Sequence, residues 1–86
     1  MQYTPEIVGE LIRTTRRSAG VTQSDLALAS GTGLRFIVDL EHGKPTCELG
    51  KTLAVLQTCG IVMTLVAPVS DTPTKRPTSR FSKRNQ

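Results

Sequence analysis

The chain has few of the residues on which several protein classes depend. Its 86 residues include no tryptophan, one histidine and two cysteines, and aromatic residues make up only 3% of the total. Cys47 and Cys59 are too few for the disulfide framework of a small secreted protein. With His42 they do not match the spacing of the common zinc sites. We therefore expect no metal and no cofactor, and the thiols suit a reducing compartment.

Long apolar runs are absent as well. The longest, residues 61–67, is interrupted by Thr64 and is far shorter than the roughly 20 residues that cross a bilayer. No basic segment followed by an apolar stretch opens the chain, so we expect no secretory signal and no contact with a membrane. The length allows one small domain. These absences predict a cytoplasmic protein.

The positive charge is concentrated near the end of the chain. The formal net charge is +4, yet residues 1–67 contain six basic and six acidic residues. Residues 68–86 contain one acidic residue and five basic ones, together with three of the five prolines. Such a segment has too little apolar surface to offset the entropy lost on ordering. We predict a folded domain over 1–67 and a basic, disordered tail over 68–86. The tail is either a solvated terminus or a segment that binds nucleic acid or an acidic partner.

Capping residues and glycines predict four short helices in residues 1–67. Thr4-Pro5-Glu6 is typical of a helix start, and Gly20 ends the first helix. Apolar residues at helical spacing predict its buried face: Val8, Leu11 and Ile12. Thr22 and Asp25 form a capping-box pattern before a second helix over 23–30.

Two further helices follow the Gly31-Thr32-Gly33 break. The third runs from about Leu34 to Glu41, and the fourth from about Glu48 to Cys59. The fourth helix has leucines at i, i+4 and i+7, which predict its buried face: Leu49, Leu53 and Leu56. Gly60 ends it.

After Gly60 the pattern changes to that of a strand. The segment is rich in β-branched residues and is closed by Pro68. It comprises Ile61, Val62, Met63, Thr64, Leu65 and Val66. Because the chain offers no second convincing strand, a lone strand would leave its backbone groups unpaired. We predict that it pairs with the same segment of a second copy, across a homodimer. The alternatives are a fifth buried helix or a strand paired with residues 1–4.

The second and third helices have the layout of a helix-turn-helix. The run Thr22-Gln23-Ser24-Asp25-Leu26-Ala27, followed by Ser30-Gly31, Ile37, Leu40-Glu41 and Gly43-Lys44, closely resembles the Xre/phage-repressor family over residues 8–60. This resemblance implies a mainly α, compact four- to five-helix lambda-repressor-like domain whose third helix enters the DNA major groove. With its predicted C-terminal β-strand that pairs across a homodimer, the chain resembles more narrowly the HipB-type antitoxins. Those proteins repress their own operon and bind a HipA-type kinase toxin.

The resemblance also implies which residues contact DNA. The matching base-contact positions are Leu34, Arg35, Val38 and Asp39. The Arg35 fork can pair with guanine O6 and N7, and Leu34 and Val38 suit thymine methyl groups. The phosphate contacts implied are Thr22, Gln23, Gly33, Lys44 and Thr46, of which the first two lie at a helix start.

Two positions depart from the family pattern, and one pair matches it. Gly33 stands where Ser or Thr is common, and Phe36 where a small polar residue is usual. Arg16 and Glu41 match a family pair that ties the first helix to the end of the third, a structural ion pair whose rupture would strand a charge.

The function predicted is that of a DNA-binding repressor. The chain lacks a Gly-rich phosphate loop, paired carboxylates in an apolar setting and a Ser-His-Asp set, so we expect no enzyme. We predict the nucleoid-associated antitoxin of a HipBA-type operon, which binds double-stranded operator DNA with palindromic sequence as a homodimer and binds a HipA-like kinase toxin. The alternatives are a stand-alone Xre-type regulator and a protein-interaction module with degenerate DNA binding.

Overall fold

The computed structural model describes residues 3–69, which contain four α-helices. They are α1 (Pro5–Ser18), α2 (Gln23–Ser30), α3 (Leu34–Glu41) and α4 (Leu49–Cys59). The mainly α fold is confirmed, and α2 and α3 have the bounds that the sequence predicts. Nearly all of the predicted tail over 68–86 lies outside the described residues. None of the helices described is long and apolar enough to span a membrane.

Side-chain caps fix where the first two helices begin. Thr4 Oγ1 accepts a hydrogen bond from the Ile7 N–H at 3.1 Å. At α2, Thr22 Oγ1 accepts from the Asp25 N–H at 3.0 Å, and the Asp25 carboxylate accepts from the Thr22 N–H at 3.3 Å. This reciprocal capping box satisfies two backbone donors that a helix start would otherwise leave free. Local sequence therefore sets both helix starts.

The core lies where the four helices meet. Its buried hydrophobic residues are Ile12, Leu26, Ala27, Ile37, Leu40, Val55 and Leu56. To this core α2 contributes Leu26 and Ala27, and α3 contributes Ile37 and Leu40. The buried faces predicted for α1 and α4 are wrong at Leu11, Leu49 and Leu53, which are exposed. Leu56 is buried as predicted, and Val55 is buried beside it, where α4 packs against α1 and α2.

A close approach of α1 to α3 depends on Gly9. A Cβ atom at this position would lie 2.4 Å from the Leu40 carbonyl oxygen and 2.9 Å from that of Glu41. Only glycine therefore allows the two backbones to touch here. About two turns further along α1, Arg16 reaches the end of α3.

Residues 61–69 form no regular secondary structure in the single chain described. A strand is defined by pairing with a neighbour, and the described part of the chain provides none. Ile61 packs against the core, while Val62, Leu65 and Val66 are each more than four-fifths exposed. The strand and its pairing across a dimer remain predictions. We call Tyr3, Ile7, Leu11 and residues 61–66 the apolar edge.

Candidate nucleic-acid interface

The turn between α2 and α3 closes through a glycine. Gly31 adopts a left-handed conformation, with φ of 72°, that residues with a side chain rarely adopt. This reversal lets the Thr32 N–H donate to the Ala27 carbonyl at 2.9 Å. Ile37 and Leu40 then anchor one face of α3 in the core, so its opposite face points outward.

The outward face of α3 carries the residues predicted to contact bases. Leu34 is half exposed, and the Arg35 side chain is 85% exposed and points away from the core. One turn later, Val38 and Asp39 are partly buried. Arg35 Nε lies 3.3 Å from Asp39 Oδ1, and Lys44 Nζ lies 3.5 Å from Asp39 Oδ2. We call Arg35, Asp39 and Lys44 the charged triad.

Both helices of the motif present backbone donors at their starts. The first i to i−4 bond of α2 is donated by Leu26, so the N–H groups of Gln23 and Ser24 have no partner of that kind. At α3, the N-cap Gly33 makes no side-chain cap bond. The helix dipole adds partial positive charge at both points, which favours an anion.

A buried ion pair joins the first three helices. Arg16 Nε donates to Glu41 Oε2 at 2.6 Å, and Arg16 Nη2 donates to Glu41 Oε1 at 3.0 Å. Arg16 Nη1 donates to the Val21 carbonyl at 2.8 Å, and Gln23 Nε2 donates to Glu41 Oε1 at 3.1 Å. The two charged side chains are 11% and 2% exposed, so removal of either partner would leave a buried charge. We call Arg16, Val21, Gln23 and Glu41 the polar junction.

The polar junction shifts the acid–base behaviour of its members. Burial alone would raise the pKa of Glu41, but hydrogen bonds from Arg16 and Gln23 and the nearby positive charge outweigh it and hold this pKa below its ordinary value. The hydrogen bond to Glu41 raises the pKa of Arg16, against the opposing effect of burial. Both groups are therefore charged at neutral pH.

The structure gives Gln23 a different partner from the one predicted. The sequence predicts its amide beside a phosphate, but that amide donates to Glu41. The part of Gln23 open to an anion is its backbone N–H at the start of α2. No local signal distinguishes the two roles, since an amide donor serves a carboxylate and a phosphate equally well.

Sequence reasoning missed two arginines beside this helix start. A cleft of about 610 Å³ opens between the end of α1 and the start of α2, and Arg13, Arg17 and Thr22 are among the residues that line it. Arg13 and Arg17 are exposed. Arg13, Arg16 and Arg17 stand at i, i+3 and i+4, which places all three on one side of α1. This spacing is the sequence pattern from which the basic patch could have been predicted.

The remaining predicted contacts lie at the end of α3 and beyond it. Lys44 and Thr46 are exposed in the loop that leads to α4. Phe36 is partly buried against the core, and Lys51 Nζ lies 5.8 Å from its ring centroid, so this residue links α3 to α4.

Burial raises the pKa of the Cys47 and Cys59 thiols. The described residues contain no cluster that could hold a metal ion.

Comparisons with known proteins agree with this geometry. No protein-family model matches the chain. Over 65 residues the chain is 51% identical to y4mF, an uncharacterised helix-turn-helix transcriptional regulator of Sinorhizobium fredii. The aligned residues make up 76% of this chain and 86% of that protein. A solved HipB–O4 20mer complex has a chain that matches with a TM-score of 0.69, at 27% identity, over 78% of this chain and 94% of that one. A solved HipA–HipB–O2–O3 complex gives the same values.

The sequence identity relates the chain to a helix-turn-helix transcriptional regulator. The structural similarity relates its fold to that of HipB. Four helices, the turn at Gly31 and an outward-facing α3 are what such a regulator requires. The chain belongs to the Xre-like, HipB-type family of helix-turn-helix DNA-binding transcriptional regulators.

Proposed function

We propose that this regulator is a sequence-specific repressor, the antitoxin of a HipBA-type operon, and that it binds a palindromic operator as a homodimer. The observation that carries the proposal is the exposed Arg35 on the outward face of α3, in a motif whose two helices both begin with backbone N–H groups that have no i to i−4 partner. A long cation on such a helix can reach base edges while the helix starts hold phosphates.

Base readout rests on three side chains of α3. Arg35 is the donor for guanine O6 and N7, a pairing that discriminates against the wrong base by about 1–3 kcal/mol. Leu34 is exposed and Val38 is partly buried on the same face, where they contact thymine methyl groups. The hydrophobic groups explain how a neutral helix-turn-helix domain reads sequence.

Phosphate binding rests on groups spread along both flanks of α3. The start of α2 provides Thr22 and the Gln23 N–H, the start of α3 provides backbone donors after Gly33, and the following loop provides Lys44 and Thr46. Because residues 1–67 carry no net charge, the position of each cation matters more than their sum. Arg13 and Arg17, at the cleft beside α2, extend this surface.

Dimerisation rests on the apolar edge. Tyr3, Ile7, Leu11, Met63 and Leu65 are exposed and line one groove of about 270 Å³. Clustered apolar side chains of this kind mark protein contacts. A second copy would cover them and supply the partner strand for residues 61–66. A two-fold axis then presents two copies of α3 to successive major grooves of a palindrome.

The toxin partner is proposed from the family. The similar structures include HipB in a complex with HipA, and the likeness covers most of both chains. We therefore propose a HipA-like kinase as the second partner. Purification of the chain from its own cells tests this proposal, with co-purification of a kinase-sized protein as the expected result. Its absence in repeated purifications would favour a stand-alone regulator.

Selection from random duplexes tests the DNA-binding proposal. We expect the chain to select a palindrome, and Arg35→Ala to lose preference at one base pair in each half-site. Arg17→Ala, which removes an exposed cation from the cleft beside α2, is the matched control: it should weaken binding to all duplexes alike and reduce the salt slope by about one. Equal losses on selected and scrambled duplexes for Arg35→Ala would contradict its role in readout.

A further inference from the structure

A carboxylate on the outward face of α3 needs an explanation. Asp39 lies on the helix face proposed to enter the groove, where phosphates repel negative charge. Each of its oxygens meets a cation, Oδ1 at 3.3 Å from Arg35 Nε and Oδ2 at 3.5 Å from Lys44 Nζ. The charged triad thus carries a net charge of +1, and the carboxylate is shielded from both sides.

Stability does not account for this arrangement. The Arg35–Asp39 pair is an i, i+4 pair with an exposed arginine, a class that contributes little to folding in water. The unequal exposure of the two side chains is more informative: Asp39 is 24% exposed and Arg35 is 85% exposed. The carboxylate is therefore the anchored partner, and the guanidinium extends from it toward solvent.

The choice of nitrogen matters for what Arg35 can do next. An arginine has five N–H donors, and the one on Nε points along the flank of the guanidinium. In this ion pair Nε is the nitrogen that lies 3.3 Å from Asp39 Oδ1, which leaves the four donors on Nη1 and Nη2 at the tip. That pair of nitrogens is the fork that fits O6 and N7 of guanine. A flexible side chain is thereby held in the orientation that binding requires.

We propose that Asp39 is a positioning residue that aims Arg35 at a guanine, while Lys44 neutralises the charge that remains. This proposal rests on the DNA-binding function proposed above and deepens it, since it names the residue that orients Arg35 for reading a G·C pair. It also replaces direct base contact as the role of Asp39. Inside the groove, where water is displaced, the Arg35–Asp39 attraction is stronger than in the free protein.

The test is a double-mutant cycle read out as base preference. The duplex selected by the wild-type chain is compared with one in which the guanine opposite Arg35 is replaced, using Asp39→Asn, Arg35→Ala and the double variant. We expect Asp39→Asn to reduce the preference for guanine by about 2–10-fold, the factor for restoring freedom to one long side chain. In the Arg35→Ala background, Asp39→Asn should leave this preference unchanged.

Matched variants separate positioning from charge and from folding. Glu48→Gln removes one negative charge from an exposed residue paired with Lys51 at 3.5 Å, and it should leave the guanine preference unchanged. Asp39→Ala removes the acceptor as well as the charge and should lower the preference at least as much as Asp39→Asn. Thermal midpoints close to that of the wild-type chain are expected for all three, because the substituted side chains are at or near the surface.

Three outcomes would overturn the proposal. Equal losses in the two backgrounds would mean that Asp39 acts independently of Arg35. Loss of preference at another base pair would mean that Asp39 accepts directly from a cytosine. A selected sequence without a guanine opposite Arg35 would also overturn it, while the repressor function would stand. Selection of no sequence at all would instead overturn the proposed function itself.

Discussion

The polar junction and the apolar edge both include side chains of α1, and they differ in how they are completed. At the polar junction, Arg16 and Glu41 find their partners within the chain. At the apolar edge, large hydrophobic side chains such as Leu65 remain exposed in the single chain. The polar junction, which fixes how the helices of the DNA-binding motif pack, is therefore complete within one chain. Under the proposed dimerisation, the apolar edge is covered only when a second copy binds to it.

The largest expected effect is at the polar junction. Glu41→Ala removes the partner of a guanidinium that is only 11% exposed and leaves a buried charge unpaired. The free energy of unfolding should fall by about 3–5 kcal/mol in denaturant titrations. The exposed ion pair between Glu10 and Arg13 provides the control, since Glu10→Ala should change stability by less than about 0.5 kcal/mol. Similar losses in both variants would remove the distinction between junction and surface.

Acid should weaken the same junction reversibly. The pKa of Glu41 is lower in the folded chain than its ordinary value of 4.5. Its contribution to stability is therefore fully present above the unfolded value and is lost as the pH falls through the folded value. We expect the wild-type chain to lose more stability than Glu41→Gln over this acidic range. Parallel pH profiles for the two proteins would contradict the shift.

At the apolar edge, substitution should change assembly rather than folding. Leu65→Ser removes an exposed side chain whose burial in the proposed dimer is worth about 1.5–3 kcal/mol. The variant should therefore be monomeric at protein concentrations at which the wild-type chain is still dimeric. Leu28 has almost the same exposure, 84% against 86%, but lies on α2 away from this edge. Sedimentation should report a smaller mass for Leu65→Ser and an unchanged mass for Leu28→Ser. Identical masses for both variants would leave the edge without a role in assembly.

The shared helix α1 gives a further test through Gly9. The Leu40 carbonyl lies 2.4 Å from where a Cβ atom would stand, and a backbone oxygen cannot move aside. Gly9→Ala should therefore separate α1 from α3 and cost about 1–3 kcal/mol in the free energy of unfolding. Gly50→Ala in α4 is the control, because its Cβ would meet nothing within 4 Å and it should stabilise the helix. A stable Gly9→Ala protein would mean that the close approach is unimportant.

Local chemistry explains which parts of the fold could be predicted. Thr22, Asp25 and Gly31 act on backbone within a few residues of themselves, so the bounds of α2 and α3 follow from the sequence. The buried face of α4 could not be chosen in the same way. The predicted face through Leu49, Leu53 and Leu56 and the observed face through Val55, Leu56 and Cys59 both have helical spacing, and only packing against α1 and α2 decides between them.

In the candidate site, too, features that depend on nearby residues could be predicted, and features that depend on packing could not. The exposure of Arg35 follows from its place on a helix whose other face carries Ile37 and Leu40. The partner of Gln23 depends on where α3 ends relative to α2, a distance that no spacing in the sequence encodes. Pairing of residues 61–66 depends on a second chain, so it lies beyond both sequence pattern and single-chain geometry.

The smallest expected effect is a gain on the helix-turn-helix side. Gly33 begins α3 with φ of −105°, an extended conformation open to any residue, and a Cβ atom there would meet nothing within 4 Å. Gly33→Ser supplies the missing cap and should stabilise the chain by about 0.5–1 kcal/mol, measured by thermal unfolding. Gly31→Ser is the matched control, since its Cβ has equal space but its φ of 72° is strained, and it should destabilise. A stability gain for Gly33→Ser with a stability loss for Gly31→Ser would mean that the backbone angle φ determines where this turn needs glycine. Stability gains for both variants would mean that the turn imposes no such angle.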